Sequence, residues 1–270
     1  MLKIKKCRFL FKECMKYLTA YIFFYLVLFT TNTYSRGSAG AEAIYDSRFI
    51  VEMPTAGIIP KSSFSIETKF FEMGGLSIKF DVAPFDGFNM GLSFGGTNVI
   101  GEKQVSLQEL PGVNLKIRIF DETLYSPAIV LGFDSQGQGY YYKEYNRFKT
   151  QSPGLFLSAS KSFKWKLGDI ATHFGLNYSF EPPNTERALN FYLGIEHSIY
   201  NFASLNIEYN ANLDDSNKMI LEAQGSINAA IRISVTQGIT FEIQGIDLLA
   251  NTKNSTGFSR TIAFEYIGLF

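Results

Sequence analysis

Eleven charged side chains share one parity within segments where apolar and polar residues alternate: Glu67, Lys69, Lys79, Asp81, Lys116, Arg118, Glu196, Glu208, Arg232, Glu242 and Glu265. In a period-two segment one parity is one face, so these groups are expected to point the same way. Charges of both signs on an enclosed face suit two roles. They can form an ion-pair network that fills and stiffens an interior, or a polar path for a solute, with Lys79, Lys116, Arg118 and Arg232 as its positive elements.

A second constellation is Tyr140, Tyr141, Tyr142 and Tyr145, beside Phe148 and the charged Lys143, Glu144, Arg147 and Lys149. Aromatic faces next to hydrogen-bonding groups suit sugar rings, which makes the four tyrosines glycan-contact candidates. They also suit a membrane-interface girdle or a packed loop, because tyrosine places its ring in an apolar layer and its hydroxyl in water.

Nucleophilic catalysis needs a base held near a nucleophile. The chain has two histidines. His173 shares the polar parity and could neighbour Ser158 or Ser160 on the preceding segment, whereas His197 has the apolar parity. No Gly-x-Ser-x-Gly elbow occurs, and two isolated histidines do not converge with cysteines or spaced carboxylates as metal ligands do. The expectation is a protein that is not an enzyme and has no metal and no cofactor.

These residues must be positioned by strands. No segment after Ala41 has 18 consecutive apolar residues, which excludes helical membrane spans. Alternation recurs instead. Phe174, Leu176, Tyr178 and Phe180 face away from His173, Gly175, Asn177 and Ser179; Leu205, Ile207 and Tyr209 face away from Ser204, Asn206, Glu208 and Asn210. In a water-soluble sandwich the polar face is rich in Lys, Glu and Thr. Here it is mostly Gly, Ser and Asn with isolated charges, which fits a narrow, water-filled or plugged lumen, and the large apolar side chains fit lipid outside.

Strands are expected at about 63–71, 75–83, 88–95, 112–120, 127–134, 154–163, 171–180, 189–198, 203–211, 226–235, 239–246 and 259–268. The fold class is all-β: a transmembrane antiparallel β-barrel of about 12 strands, within a range of 10–14 because 218–225 also alternates weakly. Connections at 84–87, 121–126, 164–170, 199–202 and 236–238 are short and are expected in the periplasm. Those at 96–111, 135–153, 181–188, 212–225 and 247–258 are long and expected outside. The barrel must close, since an open edge in hydrocarbon leaves backbone donors and acceptors unpaired.

Charge and cysteine usage divide the chain further. Residues 1–41 hold seven of the 25 basic side chains and one of the 25 acidic ones, leaving 18 against 24, a net of −6. That balance argues against a nucleic-acid partner. Basic residues up to Lys16, an apolar run from Tyr17 to Phe29, and Ala39-Gly40-Ala41 read as a signal peptide cleaved after Ala41. Both cysteines, Cys7 and Cys14, lie within it. The expected organisation is 1–41 signal peptide, 42–62 a short periplasmic segment, and 63–270 the barrel, with both termini in the periplasm of a Gram-negative bacterium. Phe270 ends the chain after Gly268, Tyr266, Phe264 and Ile262 in steps of two, the usual form of a recognition signal for the barrel-assembly machinery.

Several segments also resemble the YjbH-type outer-membrane family, which is associated with exopolysaccharide biosynthesis and export. They are Met53-Pro54-Thr55-Ala56-Gly57 with Ile58-Ile59-Pro60, Leu92-Ser93-Phe94-Gly95-Gly96, Leu110-Pro111-Gly112-Val113-Asn114, the stretch from Pro127 to Gly137, Ser152-Pro153-Gly154, and Gly175-Leu176-Asn177-Tyr178-Ser179. The resemblance implies an outer-membrane accessory protein in exopolysaccharide secretion or assembly. Its expected partners are membrane lipid and lipopolysaccharide, a polysaccharide, and export-system proteins. A small-solute channel and a structural or adhesion barrel are the alternative readings.

Overall fold

The computed structural model describes residues 46–165, 168–181, 188–199, 202–215, 220–253 and 257–270; the expected signal peptide lies outside them. The strands in chain order are β1 (Ser63–Phe71), β2 (Gly75–Phe85), β3 (Phe88–Thr97), β4 (Ser106–Leu107), β5 (Gly112–Phe120), β6 (Ala128–Asp134), β7 (Gln138–Tyr142), β8 (Arg147–Thr150), β9 (Gly154–Trp165), β10 (Gly168–Tyr178), β11 (Asn190–Ile199), β12 (Ala203–Asn210), β13 (Ser226–Thr236), β14 (Ile239–Ile246) and β15 (Ser259–Leu269).

Twelve of these close into one antiparallel ring in the order β1, β2, β3, β5, β6, β9, β10, β11, β12, β13, β14, β15 and back to β1. Closure is made by β1 with β15, in the register Ser63↔Leu269 to Phe70↔Ile262. The first and last strands of the ring therefore meet along one seam, and no ring strand is left with an open edge in hydrocarbon.

The distribution of side chains is inverted relative to a water-soluble protein. Asn206 and Glu208 on β12 are fully buried, while Leu92 on β3 is 56% exposed and Ile195 on β11 53%. An apolar band of this extent is untenable in water and favourable in a bilayer. Rings pair across strands on this outer surface, including Phe64 with Tyr266 (5.9 Å between centroids) and Phe241 with Phe264 (4.9 Å).

Three features go beyond the expected ring. β4 adds a two-residue pairing to the end of β3, Gly96↔Leu107 and Thr97↔Ser106. The long connection between β6 and β9 carries the separate hairpin β7–β8, with Tyr141↔Phe148 and Tyr142↔Arg147 in register. Asn146 takes the positive φ of 51° in its turn, which asparagine tolerates better than most residues. Of the weakly alternating stretch 218–225, residues 218 and 219 lie outside the description, and Leu221 makes only an isolated bridge to Thr252. It adds no strand to the ring.

The segment before β1, expected as a short periplasmic segment at 42–62, runs through the lumen from residue 46 onward. Ile50, Val51, Met53, Thr55, Ala56 and Ile59 are buried there, with Ile50, Val51 and Met53 clustering with Tyr192, Ala230 and Ile246 of the wall. The physical reason is complementarity. The wall offers paired charges and gaps beside glycines, and the segment supplies backbone groups and apolar side chains to occupy them.

Candidate functional site

Residues 48–55 form a tight hairpin inside the barrel. Phe49 bridges Pro54, the Ile50 N–H donates to the Met53 carbonyl at 2.8 Å, and the Thr55 N–H donates to the Arg48 carbonyl at 3.0 Å. These are few internal bonds, so most of its backbone must find partners in the wall. It does so according to charge.

At the hairpin tip three successive N–H groups, from Val51, Glu52 and Met53, converge on Glu208 Oε2 at 3.0, 2.9 and 2.8 Å. Asn228 donates to the other carboxylate oxygen at 2.8 Å. Carbonyls are met by cations. Lys116 Nζ donates to the Arg48 carbonyl at 2.9 Å and to those of Thr55 and Gly57 at 3.4 Å. Arg232 donates to the carbonyls of Phe49 (3.1 Å) and Ile50 (3.2 Å), and Arg118 to that of Ala56 (2.8 Å). The Pro54 carbonyl accepts from Ser158 (3.0 Å) and Tyr192 (2.8 Å).

The remaining charges pair within the same enclosure. Arg48 sends one guanidinium nitrogen to Asp81 on β2 and another to Glu265 on β15. Lys79 meets Asp134 at 2.6 Å, and Arg232 meets Glu242 at 2.6 Å and Glu196 at 3.5 Å. Lys69, Lys79 and Lys116 surround the Phe49 ring at 5.1, 4.7 and 5.1 Å from its centroid, an arrangement in which the ring's negative face eases three crowded ammonium groups. All nine lumenal candidates, Lys79, Asp81, Lys116, Arg118, Glu196, Glu208, Arg232, Glu242 and Glu265, thus lie in one connected network around the inserted segment.

Glycine makes the close fit possible. A Cβ on Gly194 would stand 2.5 Å from Ile50 Cδ1, and one on Gly175 would stand 2.0 Å from the Tyr192 ring. Between segment and wall lies a cavity of about 20 Å³ bordered by Arg48, Glu67, Arg232, Gln244 and Glu265, room for about one water molecule.

The long-loop end is covered by β7–β8. Arg147, buried, pairs with Asp215 of the β12–β13 loop at 2.7 Å. Lys149 reaches Glu72 of the β1–β2 turn at 2.8 Å, and Glu181 accepts the N–H groups of Phe148 and Ser152 at 2.9 and 2.7 Å. Thr150 donates to Glu52 at 2.9 Å, which joins this cover to the tip of the lumenal hairpin. Burial, with Glu208 close by, pushes the Glu52 carboxyl up to about 7. Burial likewise pushes Glu181 up to about 7 and Asp214 to about 6.

The four tyrosines divide between the two faces of this cover. Tyr140 and Tyr142 meet edge to face at 4.8 Å, with Tyr145 6.1 Å from Tyr142, whereas Tyr141 packs on Phe148 at 4.9 Å. The Ser160 hydroxyl lies 2.8 Å from His173 Nδ1 and accepts the Ala56 N–H at 3.0 Å, so it is committed to holding the segment. His173 Nε2 has no hydrogen-bond partner among the described residues.

Sequence reasoning placed the wall charges on one face but missed their partners. Arg48 and Glu52 lie in a stretch without periodicity, Arg147 begins the short β8 of a loop-borne hairpin, and Asp215 lies in a loop. The available signal was glycine on the lumenal parity at 175 and 194, facing something that needed the space.

No family model matches the chain, and no curated protein matches it. Solved structures do. The KdgM porin matches with a TM-score of 0.47 at 8% identity, over 76% of this chain and 98% of that one. The NanC porin matches with a TM-score of 0.41 at 6% identity, over 77% and 99%. A loop-deletion mutant of OmpT, an outer membrane protein of Vibrio cholerae, matches with a TM-score of 0.31 at 8% identity, over 76% and 97%. The YjbH-type resemblance is corrected: no family model matches the chain, and the solved structures reported as similar are the KdgM and NanC porins and the OmpT mutant. The exopolysaccharide role and the export-system partners, which came with that resemblance, are withdrawn with it. The segments that carried the resemblance have local explanations: Met53 to Gly57 is the return arm of the lumenal hairpin, and Gly175 makes room for Tyr192. The chain is a closed twelve-stranded antiparallel transmembrane β-barrel with an apolar outer face.

Proposed function

We propose that this protein is an outer-membrane channel for small solutes, held shut in this conformation by its own segment 46–60 and by the β7–β8 cover. The observation that carries the reading is that the wall's charged side chains are spent on a peptide outside the sheet. That peptide runs directly into β1. Many of its bonds to the wall are backbone hydrogen bonds that water can replace, so each of these contributes a modest net free energy. Withdrawal would expose a mainly polar lining with apolar patches at Tyr192, Phe156 and Ile246.

In this reading the short turns and both termini face the periplasm, and the long loops face outward. Asp46 meets Arg118 at 3.0 Å on β5 near the short-turn end, so the segment enters from the periplasmic mouth. Phe270 would direct assembly, residues 1–41 would direct secretion, and the tyrosines of the cover would sit at the outer entrance.

Planar-bilayer recording of the mature chain tests this. The expected result is infrequent opening, with current graded by solute size. A chain carrying Glu208→Gln, which weakens the hold on the hairpin tip, should open more often. Silence from both proteins, when heat-modifiable migration shows assembled barrels, would favour a purely structural barrel.

A further inference from the structure

The seat of Arg48 has features that the barrel builds without it. In the register of β1 and β15, Glu67 lies directly opposite Glu265, two carboxylates across one strand pair. In the register of β1 and β2, Asp81 lies opposite Ser65, diagonal to Glu67. Like charges directly opposite are destabilising unless a cation stands between them. The wall's own cations are largely engaged elsewhere: Lys79 with Asp134 and Arg232 with Glu242, leaving Lys69 at 3.6 Å from Glu67.

Lys69, and Lys79 opposite Glu67 in the β1–β2 register, serve Glu67, and the cation that joins Asp81 to Glu265 belongs to the inserted segment. Arg48 engages Asp81 and Glu265 through different nitrogens of one planar fork, while its Nε, buried beside the cavity bordered by Glu67 and Glu265, has no hydrogen-bond partner. A planar fork can satisfy two carboxylates from separate strands at once, which a compact ammonium does less well. When the segment withdraws, the carboxylates lose their guanidinium in a narrow space where unpaired charge is costly.

We propose that Asp81, Glu67 and Glu265 form a binding site for guanidinium-bearing solutes on the wall of the open channel, and that Arg48 is its built-in stand-in. This rests on the channel reading and names the solute class that the channel favours. The stand-in and the solute exclude one another, so binding of the solute also holds the segment away.

Two measurements test the proposal separately from the channel reading. Calorimetry of the full mature chain carrying Arg48→Ala, titrated with methylguanidinium, should show saturable binding. Adding Asp81→Asn should weaken it by at least about tenfold, as loss of one charge-assisted partner implies. Absence of saturable binding, or binding indifferent to Asp81→Asn in a barrel that still migrates as folded, overturns the site. In proteoliposomes of the unaltered chain, arginine should enter faster than lysine and much faster than glutamate. Entry of a neutral solute without preference for arginine overturns the inference and leaves the channel reading standing. No entry of any solute overturns the channel reading, and the solute class with it.

Discussion

Replacing Glu208 by glutamine should release the lumenal hairpin without disturbing the ring. Glu208 is fully buried on β12, and its Oε2 accepts three backbone N–H groups at 2.8–3.0 Å. Glutamine keeps the shape but removes the charge, and hydrogen bonds to an ionised acceptor are roughly twice as strong as neutral ones. The loss is therefore about 1 kcal/mol for each of the three. The new amide nitrogen would also face Asn228 Nδ2, which donates to Oε1 at 2.8 Å in the native site, setting donor against donor. Relief of the carboxylate's burial and of its repulsion with Glu52 works the other way. The net is on the order of 1–2 kcal/mol toward release, a factor of about 5–30 in the ratio of released to seated hairpin. The readout is a single cysteine at the buried Ile50, labelled by a membrane-impermeant maleimide. Cys7 and Cys14 both precede residue 46, so after the expected cleavage the mature chain has no other thiol. Labelling should quicken by about that factor with Glu208→Gln, since it follows the released population. An unchanged labelling rate would refute the idea that Glu208 latches the tip.

Glu52, held near 7 in the seated hairpin by burial and by Glu208 against an ordinary 4.5, keeps a proton that the released form gives up. Closure is thus fully favoured below that window and weakens as pH rises through it to 7, with no further change above. Open probability should rise from pH 5 to 7, and Glu52→Gln should reduce that slope; Glu181 and Asp214, raised by burial to about 7 and about 6, act in the same sense on the cover. Gly194→Leu should expel the hairpin, because its Cβ alone would stand 2.6–2.9 Å from the Ile50 γ-carbons, one of which the sulfur of Ile50→Cys replaces; that labelling would then quicken while heat-modifiable migration stays unchanged. Arg147→Ala leaves Asp215 buried without its guanidinium, a change worth about 3–5 kcal/mol in such pairs, so protease added to intact cells should cut within 138–150 faster than in the parent and still spare 84–87.

The ring itself was legible in the sequence. Alternation over about nine residues is a local property, since each strand's two faces differ in what they can touch, and the twelve expected strands match the twelve that close. Parity also placed Lys116, Glu208 and Arg232 on the inner face, because a one-residue slip would have turned every side chain of the strand toward lipid. The tertiary structure alone decided what those groups meet. Segment 46–60 has no periodicity, and its position depends on partners drawn from β2, β5, β12, β13 and β15, up to 217 positions away in the case of Arg48 and Glu265. The heights of charges on neighbouring strands follow from register around the closed ring, which no single segment encodes. The β7–β8 hairpin similarly owes its place to Asp215, Glu72 and Glu181 in three other connections. Local patterning determined a polar-lined barrel, and only closure of the ring brought the charges near enough to seat a peptide within it.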